Sequence, residues 1–155
     1  MTTEQFNILD KSVKKYDCIL MADKMTNCHH ENIIENSLPL LLALSNADLK
    51  ELRPDLIITC RANYSFNDVF KGFVRRCGGE IEHWYVSPSG KIVDPFKSLT
   101  KVFEMKEFDF IDRMVNATNS ITASFDYSET WKIISSSIEE PKFDFCHITA
   151  VGKLL

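Results

Sequence analysis

A nucleophile, a proton acceptor and a carboxylate to orient that acceptor are the parts of a covalent hydrolase, and Cys28, His83 and Asp94 supply the three side-chain types. The last two lie in His83-Trp84-Tyr85-Val86-Ser87-Pro88-Ser89-Gly90-Lys91-Ile92-Val93-Asp94-Pro95, where aromatic and β-branched flanks enclose a Ser-Pro-Ser-Gly turn signature. This pattern predicts a β-hairpin. With a two- or four-residue loop, residue 87 faces 90, 85 faces 92 and His83 stands opposite Asp94, their Cβ atoms about 4.5–5.5 Å apart. The carboxylate would hold one imidazole nitrogen and leave the other free. A three-residue loop bulged at Gly90 would instead set Trp84 against Asp94.

The nucleophile should open a helix, where exposed N–H groups and the positive end of the dipole lower a thiol's pKa. Cys28 fits this requirement. Thr26-Asn27-Cys28-His29-His30-Glu31-Asn32 precedes an apolar stretch, Ile33, Ile34, Leu38, Leu40 to Leu42 and Leu44, that reads as a buried helix kinked at Pro39. Cys60 is the rival, since it too precedes a helical run, with Phe66, Phe70, Phe73 and Val74. That helix leads straight into the histidine strand and leaves no room for a strand between.

A Cys opening a helix, then a strand, a His beside aromatics on another strand, a short turn and Asp-Pro resemble the transglutaminase-like branch of the papain-like cysteine enzymes. The resemblance covers residues 26 to 96. It implies a Cys-His-Asp triad in which Cys28 attacks a carbonyl, His83 takes and returns the proton, and Asp94 orients the imidazole. The backbone N–H of Cys28 and the side chain of Asn27 would meet the oxyanion. The implied chemistry is acyl transfer or amide and ester hydrolysis on a protein or peptide substrate, with no cofactor and no metal. Two positions depart from the family pattern: Trp84 follows His83 directly, leaving Tyr85 in the usual aromatic position, and Phe96 rather than Thr follows Asp94-Pro95.

Each residue also has a plain structural reading. An aromatic strand with a histidine occurs in many ordinary sheets, Asp94 can close a strand by accepting a local backbone hydrogen bond, and a free cysteine is often a small buried hydrophobe. Cys28, His29, His30, Cys60, Cys77 and His83 are zinc-ligand types, but none forms Cys-x2-Cys or His-x3-His spacing. His147-Ile148-Thr149 matches half of the paired motif of two-histidine phosphoesterases, and no second copy exists. The alternative to an enzyme is a non-catalytic accessory protein that binds a protein partner through an aromatic surface. High Asn, Ile, Lys and Phe with few Gly and Pro suits an AT-rich genome such as a phage's or its host's.

The 155 residues are 45% hydrophobic, enough to bury a single core, and the sequence shows no linker, repeat or low-complexity tract, so one domain over 1–155 is expected. A net charge of −4 disfavours a nucleic-acid partner; Lys71, Arg75 and Arg76 read as the solvated face of a helix. No apolar run approaches the roughly 18 residues of a membrane span and no leader is visible, so a cytoplasmic location is expected. Five cysteines without a close pair argue for reduced thiols.

Positioning these groups falls to the following elements. Phe6, Leu9, Val13 and Tyr16 predict an amphipathic helix over 3–16 capped by Thr2 or Thr3. Asn46 can cap a short turn through Leu52, Leu56 to Cys60 reads as a buried strand, and Phe66 to Cys77 as a helix stopped by Gly78-Gly79. A further apolar run spans Leu99 to Met105 and a helix 107–116, with Phe110, Ile111 and Met114 inward. Ser120 to Ser137 is ambiguous between strand and helix, and Phe143 to Val151 alternates as a final strand. The fold class is α+β, with helices around a small antiparallel sheet.

Overall fold

The computed structural model describes residues 1–22, 32–34, 37–60, 67–77, 81–117 and 126–137. The expected strand over 143–151 lies outside the described residues, as does the candidate nucleophile Cys28 with Asn27. The chain opens with α1 (Thr3–Tyr16), where the Thr2 hydroxyl accepts from the Gln5 N–H and Gln5 reaches back to the Thr2 N–H. This reciprocal box satisfies two of the N–H groups that a helix start leaves unpaired. A parallel pair of short strands follows, β1 (Leu20–Met21) and β2 (Ile33–Ile34).

Helix α2 (Ser37–Ala43) is shorter than the apolar pattern predicts, because Ile33 and Ile34 are drawn into β2. Pro39 falls in the helix's first turn, where its missing N–H has no intrahelical partner to lose, so no mid-helix kink arises there. Helix α3 (Asn46–Glu51) is capped by Ser45 and not by Asn46: Ser45 and Asp48 exchange side-chain and backbone bonds at 2.8 and 3.2 Å.

The main sheet consists of β3 (Leu56–Cys60), β4 (Glu82–Val86) and β5 (Leu99–Phe103) in that order. Both pairings are parallel, which corrects the antiparallel expectation. Between β3 and β4 runs α4 (Asn67–Cys77), so these elements form a βαβ unit. The predicted hairpin is absent. Residues 91–94 are not a strand, Ile92 is 80% exposed, and the chain from 87 to 98 crosses back so that β5 starts beside His83. Helices α5 (Glu107–Asn116) and α6 (Tyr127–Ser137) complete the described fold. The ambiguous segment thus resolves to a helix from 127 onward.

Register places Ile57, Thr59, His83 and Tyr85 on one face of the sheet and Ile58, Trp84 and Val86 on the other. On the first side Ile57 joins a core of Leu40 and Leu41 of α2, Leu49 of α3, Phe73, Val74 and Cys77 of α4, Trp131 of α6 and the flanking Leu44, Leu52 and Ile81. On the second, Trp84, Phe103 and Phe110 of α5 form an aromatic cluster with ring centroids 4.7 to 6.4 Å apart. Lys101 sits 4.5 Å from the centroid of the Trp84 ring, and Glu82 accepts from the indole N–H at 2.9 Å.

Charged side chains tie the helix ends together. The Lys15 ammonium donates to the terminal carbonyls of α5, Met114, Val115 and Ala117, and the Tyr16 hydroxyl also donates to Met114. Asp17, in the left-handed region at φ 46°, turns its carboxylate onto the first amides of α6. Arg76 of α4 donates to the Leu41 and Leu44 carbonyls at the end of α2, so it is not the freely solvated cation its sequence position suggests. Cations meet helix C-termini and the anion meets an N-terminus, as the helix dipole favours.

Gly90 has φ +60°, and a Cβ built there would come within 2.7 Å of Glu104 Oε2. Gly90→Ala is therefore expected to cost about 1–2 kcal/mol through the left-handed backbone and that contact. A drop in urea midpoint with an unchanged m-value would show it, and an unchanged midpoint would refute the close approach.

Candidate functional site

The site is built on β4. Its alternation carries His83 to the core face, while parallel pairing with β3 brings Thr59 within reach and the returning segment 87–98 supplies Asp94 and Phe96. His83 has no exposed surface. Its Nε2 lies 2.7 Å from Thr59 Oγ1, and its Nδ1 lies 3.8 Å from Asp94 Oδ1. The second distance is an electrostatic contact and is too long for a hydrogen bond. A carboxylate facing Nδ1 favours the proton there, and in that tautomer Thr59 donates its hydroxyl to Nε2. The Phe96 ring packs edge-on against the imidazole with centroids 4.9 Å apart, and Phe96 in turn meets Phe70 of α4.

Burial pushes the His83 pKa below its ordinary value, against the opposing pull of Asp94. Burial thus favours the neutral ring. Asp94 has a second engagement, since its Oδ1 accepts from the Ser98 N–H at 3.1 Å across a turn that contains Lys97 at φ 56°. The bond spans four residues, beyond the two-residue reach of an Asx turn, and closes the local loop after Pro95. Thr100 fixes the strand side by donating to the His83 carbonyl at 3.1 Å.

The structure thus brings His83 and Asp94 together, but by a route other than the hairpin. The nitrogen that a triad would leave free for a nucleophile is occupied by Thr59. Cys28 and Asn27 lie outside the described residues, so their placement relative to this pair is not defined. Sequence reasoning missed Thr59, Phe96 and Ser98. Thr59 came within its view only as the neighbour of Cys60, because strand pairing leaves no local mark on a single threonine.

Among the described cysteines, Cys18 and Cys77 are held as thiols. Burial raises Cys18 to about 11, with its sulfur 3.7 Å from the Ser12 carbonyl, and burial likewise raises Cys77 against the lowering influence of Arg76 and Arg53. Cys60, at the end of β3, is exposed. Iodoacetamide at pH 7.5 is expected to label Cys60 at least about tenfold faster than Cys18, following the loss of thiolate with rising pKa. Peptide mass spectrometry reads the order, and equal rates would refute it.

Among the described residues, no group of three or more His, Cys, Asp or Glu could hold a metal ion. No helix among them is long and apolar enough to cross a membrane.

Comparison with known proteins gives a consistent likeness. No family model matches the chain, and no solved structure does. The 2-succinyl-5-enolpyruvyl-6-hydroxy-3-cyclohexene-1-carboxylate synthase of Bacteroides thetaiotaomicron is 29% identical over 115 residues, which are 74% of this chain and 20% of that protein. The synthase of the same name from Bacteroides fragilis is 27% identical over 163 aligned residues, taking in 100% of this chain and 29% of the relative. That of Flavobacterium johnsoniae is 25% identical over 118 residues, 76% of this chain and 21% of its own length. These relatives overturn the transglutaminase-like resemblance and with it the cysteine hydrolase or acyltransferase expectation. They lend no support to a phage accessory protein either. The chain is similar to a portion, between 20% and 29%, of these carboxylate synthases.

Proposed function

We propose that this chain acts as one folded unit of a synthase that forms 2-succinyl-5-enolpyruvyl-6-hydroxy-3-cyclohexene-1-carboxylate, its partner being the remaining polypeptide of such an enzyme. One observation carries the reading: a likeness that extends over the whole chain against the Bacteroides fragilis synthase while taking in only 29% of that protein. A likeness of this extent is domain-sized and is what a shared structural unit produces. The site geometry is in keeping with it, because His83 is buried and bonded to Thr59, a role in holding the sheet together.

The test is a graft. The segment of the Bacteroides thetaiotaomicron synthase that matches this chain is replaced by it, and formation of the named product is measured beside a deletion of the same segment and beside the isolated chain. The graft is expected to retain synthesis, while the deletion and the isolated chain form no product. A graft that is folded by circular dichroism yet no more active than the deletion would overturn the proposal, as would synthesis by the isolated chain.

A further inference from the structure

The segment 87–98 lies over His83 with few ties to the rest of the described molecule. It has no strand or helix of its own. Its backbone bonds are Ser87 N–H to the Phe103 carbonyl at 3.0 Å and Gly90 N–H to the Ser87 carbonyl at 3.2 Å, and its inner turn is closed by Ser98 on Asp94. What presses it down on the sheet is the edge-on contact of Phe96 with His83, the tilted contact of Phe96 with Phe70 and the facing of Asp94 toward Nδ1. We propose that residues 87–98 form a proton-responsive strap, latched shut by neutral His83 and released when that imidazole takes up a second proton.

The groups facing the ring decide the direction. From β3 comes the Thr59 hydroxyl, which with the proton on Nδ1 donates to Nε2 and must turn round before that nitrogen can carry a proton. From α4, reached through Phe70, comes only an aromatic surface on Phe96. Asp94, on the strap itself, is the one charged group that acts on the imidazole among the described residues. Its oxygen stands 3.8 Å away, is already shared with the Ser98 N–H, and belongs to a side chain 31% exposed. Such a partner compensates an imidazolium incompletely, so a cation with no water contact is disfavoured where it stands. Water reaches it at least cost where the covering backbone has no ladder to break, which is the strap.

The experiment uses the full chain. Ring carbon shifts of His83 and amide hydrogen exchange of Gly90 and Ser98, the strap amides held by bonds within it, are followed by NMR from pH 7.5 to 5. His83→Gln serves as control, because the chain has three further histidines. Exchange in the strap, corrected for its intrinsic pH dependence, is expected to rise by up to about tenfold per unit of pH as pH falls toward the His83 midpoint and to level off below it, as linkage to a single proton requires. In His83→Gln the corrected exchange is expected to be flat. Should that variant fail to fold, Asp94→Asn replaces it, with the His83 midpoint moved to lower pH and strap release moved with it. Flat corrected exchange in the wild type, a response that survives in His83→Gln, or release that ignores the shifted midpoint in Asp94→Asn would each overturn the strap.

Discussion

Trp131→Ala is expected to lower the unfolding free energy by about 3–5 kcal/mol, the range for removing a large aromatic from a packed core. The indole has no exposed surface and packs edge-on against Phe73 of α4, 5.9 Å between centroids, and against Tyr127 at 6.1 Å. It is the buried residue through which α6 enters the core formed by α2, α3 and α4. Against a typical total stability of about 5–15 kcal/mol, the loss is enough to leave a substantial unfolded fraction. Urea unfolding followed by circular dichroism reads the change, with Trp84 retained as a fluorescence reporter of the sheet. Trp131→Phe keeps most of the apolar volume and should lose less than half as much. A loss under about 1 kcal/mol for the alanine variant would mean that α6 does not carry core packing.

Asp17→Ala is expected to cost about 1–3 kcal/mol, since it deletes two charge-assisted bonds to helix amides. The carboxylate accepts from Tyr127 N–H at 2.6 Å and Ser128 N–H at 3.0 Å, so it caps α6 from the far side of the fold. Tyr127 is held from its other end as well, donating its hydroxyl to the Leu52 carbonyl at 3.0 Å, in a burial that pushes its phenol pKa upward. For Asp17, burial works to raise the pKa, but hydrogen bonds from Ser128 and Tyr127 outweigh it and the carboxyl is held below its ordinary value of 3.8. The sign follows from that depression. The cap's contribution is fully present above the unfolded value of about 3.9 and is lost as pH falls through the lower folded value. Wild type and variant should therefore differ at pH 7 and converge toward pH 3. Asp17→Asn, which tolerates the left-handed backbone and keeps one acceptor, should fall between them. A difference that persists undiminished at pH 3 would assign the loss to backbone strain and remove the cap.

His83 and Asp94 illustrate how far local reasoning reaches. A turn signature with aromatic flanks singled out both residues, and they do lie together, yet the intervening backbone is a crossing segment and not the second strand of a hairpin. The signature Ser87-Pro88-Ser89-Gly90 is a real turn, with Ser87 Oγ and Ser89 Oγ 3.0 Å apart and Gly90 in the left-handed region. A turn specifies a change of direction over a few residues and says nothing about which strand is met afterwards. Hence the contact distance came out as an electrostatic facing, and the nitrogen expected to be free went to Thr59.

What the sequence determined by itself is what short-range physics governs. The helices over 3–16 and 107–116 have the residues that their periodicity requires, and the first has its Thr2 cap, because hydrogen bonds three or four residues apart are closed within the segment. The α4 helix is legible for the same reason, the β3 strand from its apolar, β-branched run, and with them the α+β class. Only the tertiary structure decided that the strands run parallel, that Ile33 and Ile34 leave the helix for a strand, and that Asp17 and Lys15 serve the ends of helices roughly a hundred residues away. A β-strand leaves its hydrogen-bonding groups open to any partner, and a helix end accepts any suitable charge that packing brings to it. Those partners are set by how α4 and α5 pack against the sheet and α1 packs against α5, and that balance of buried surface is spread over the described fold.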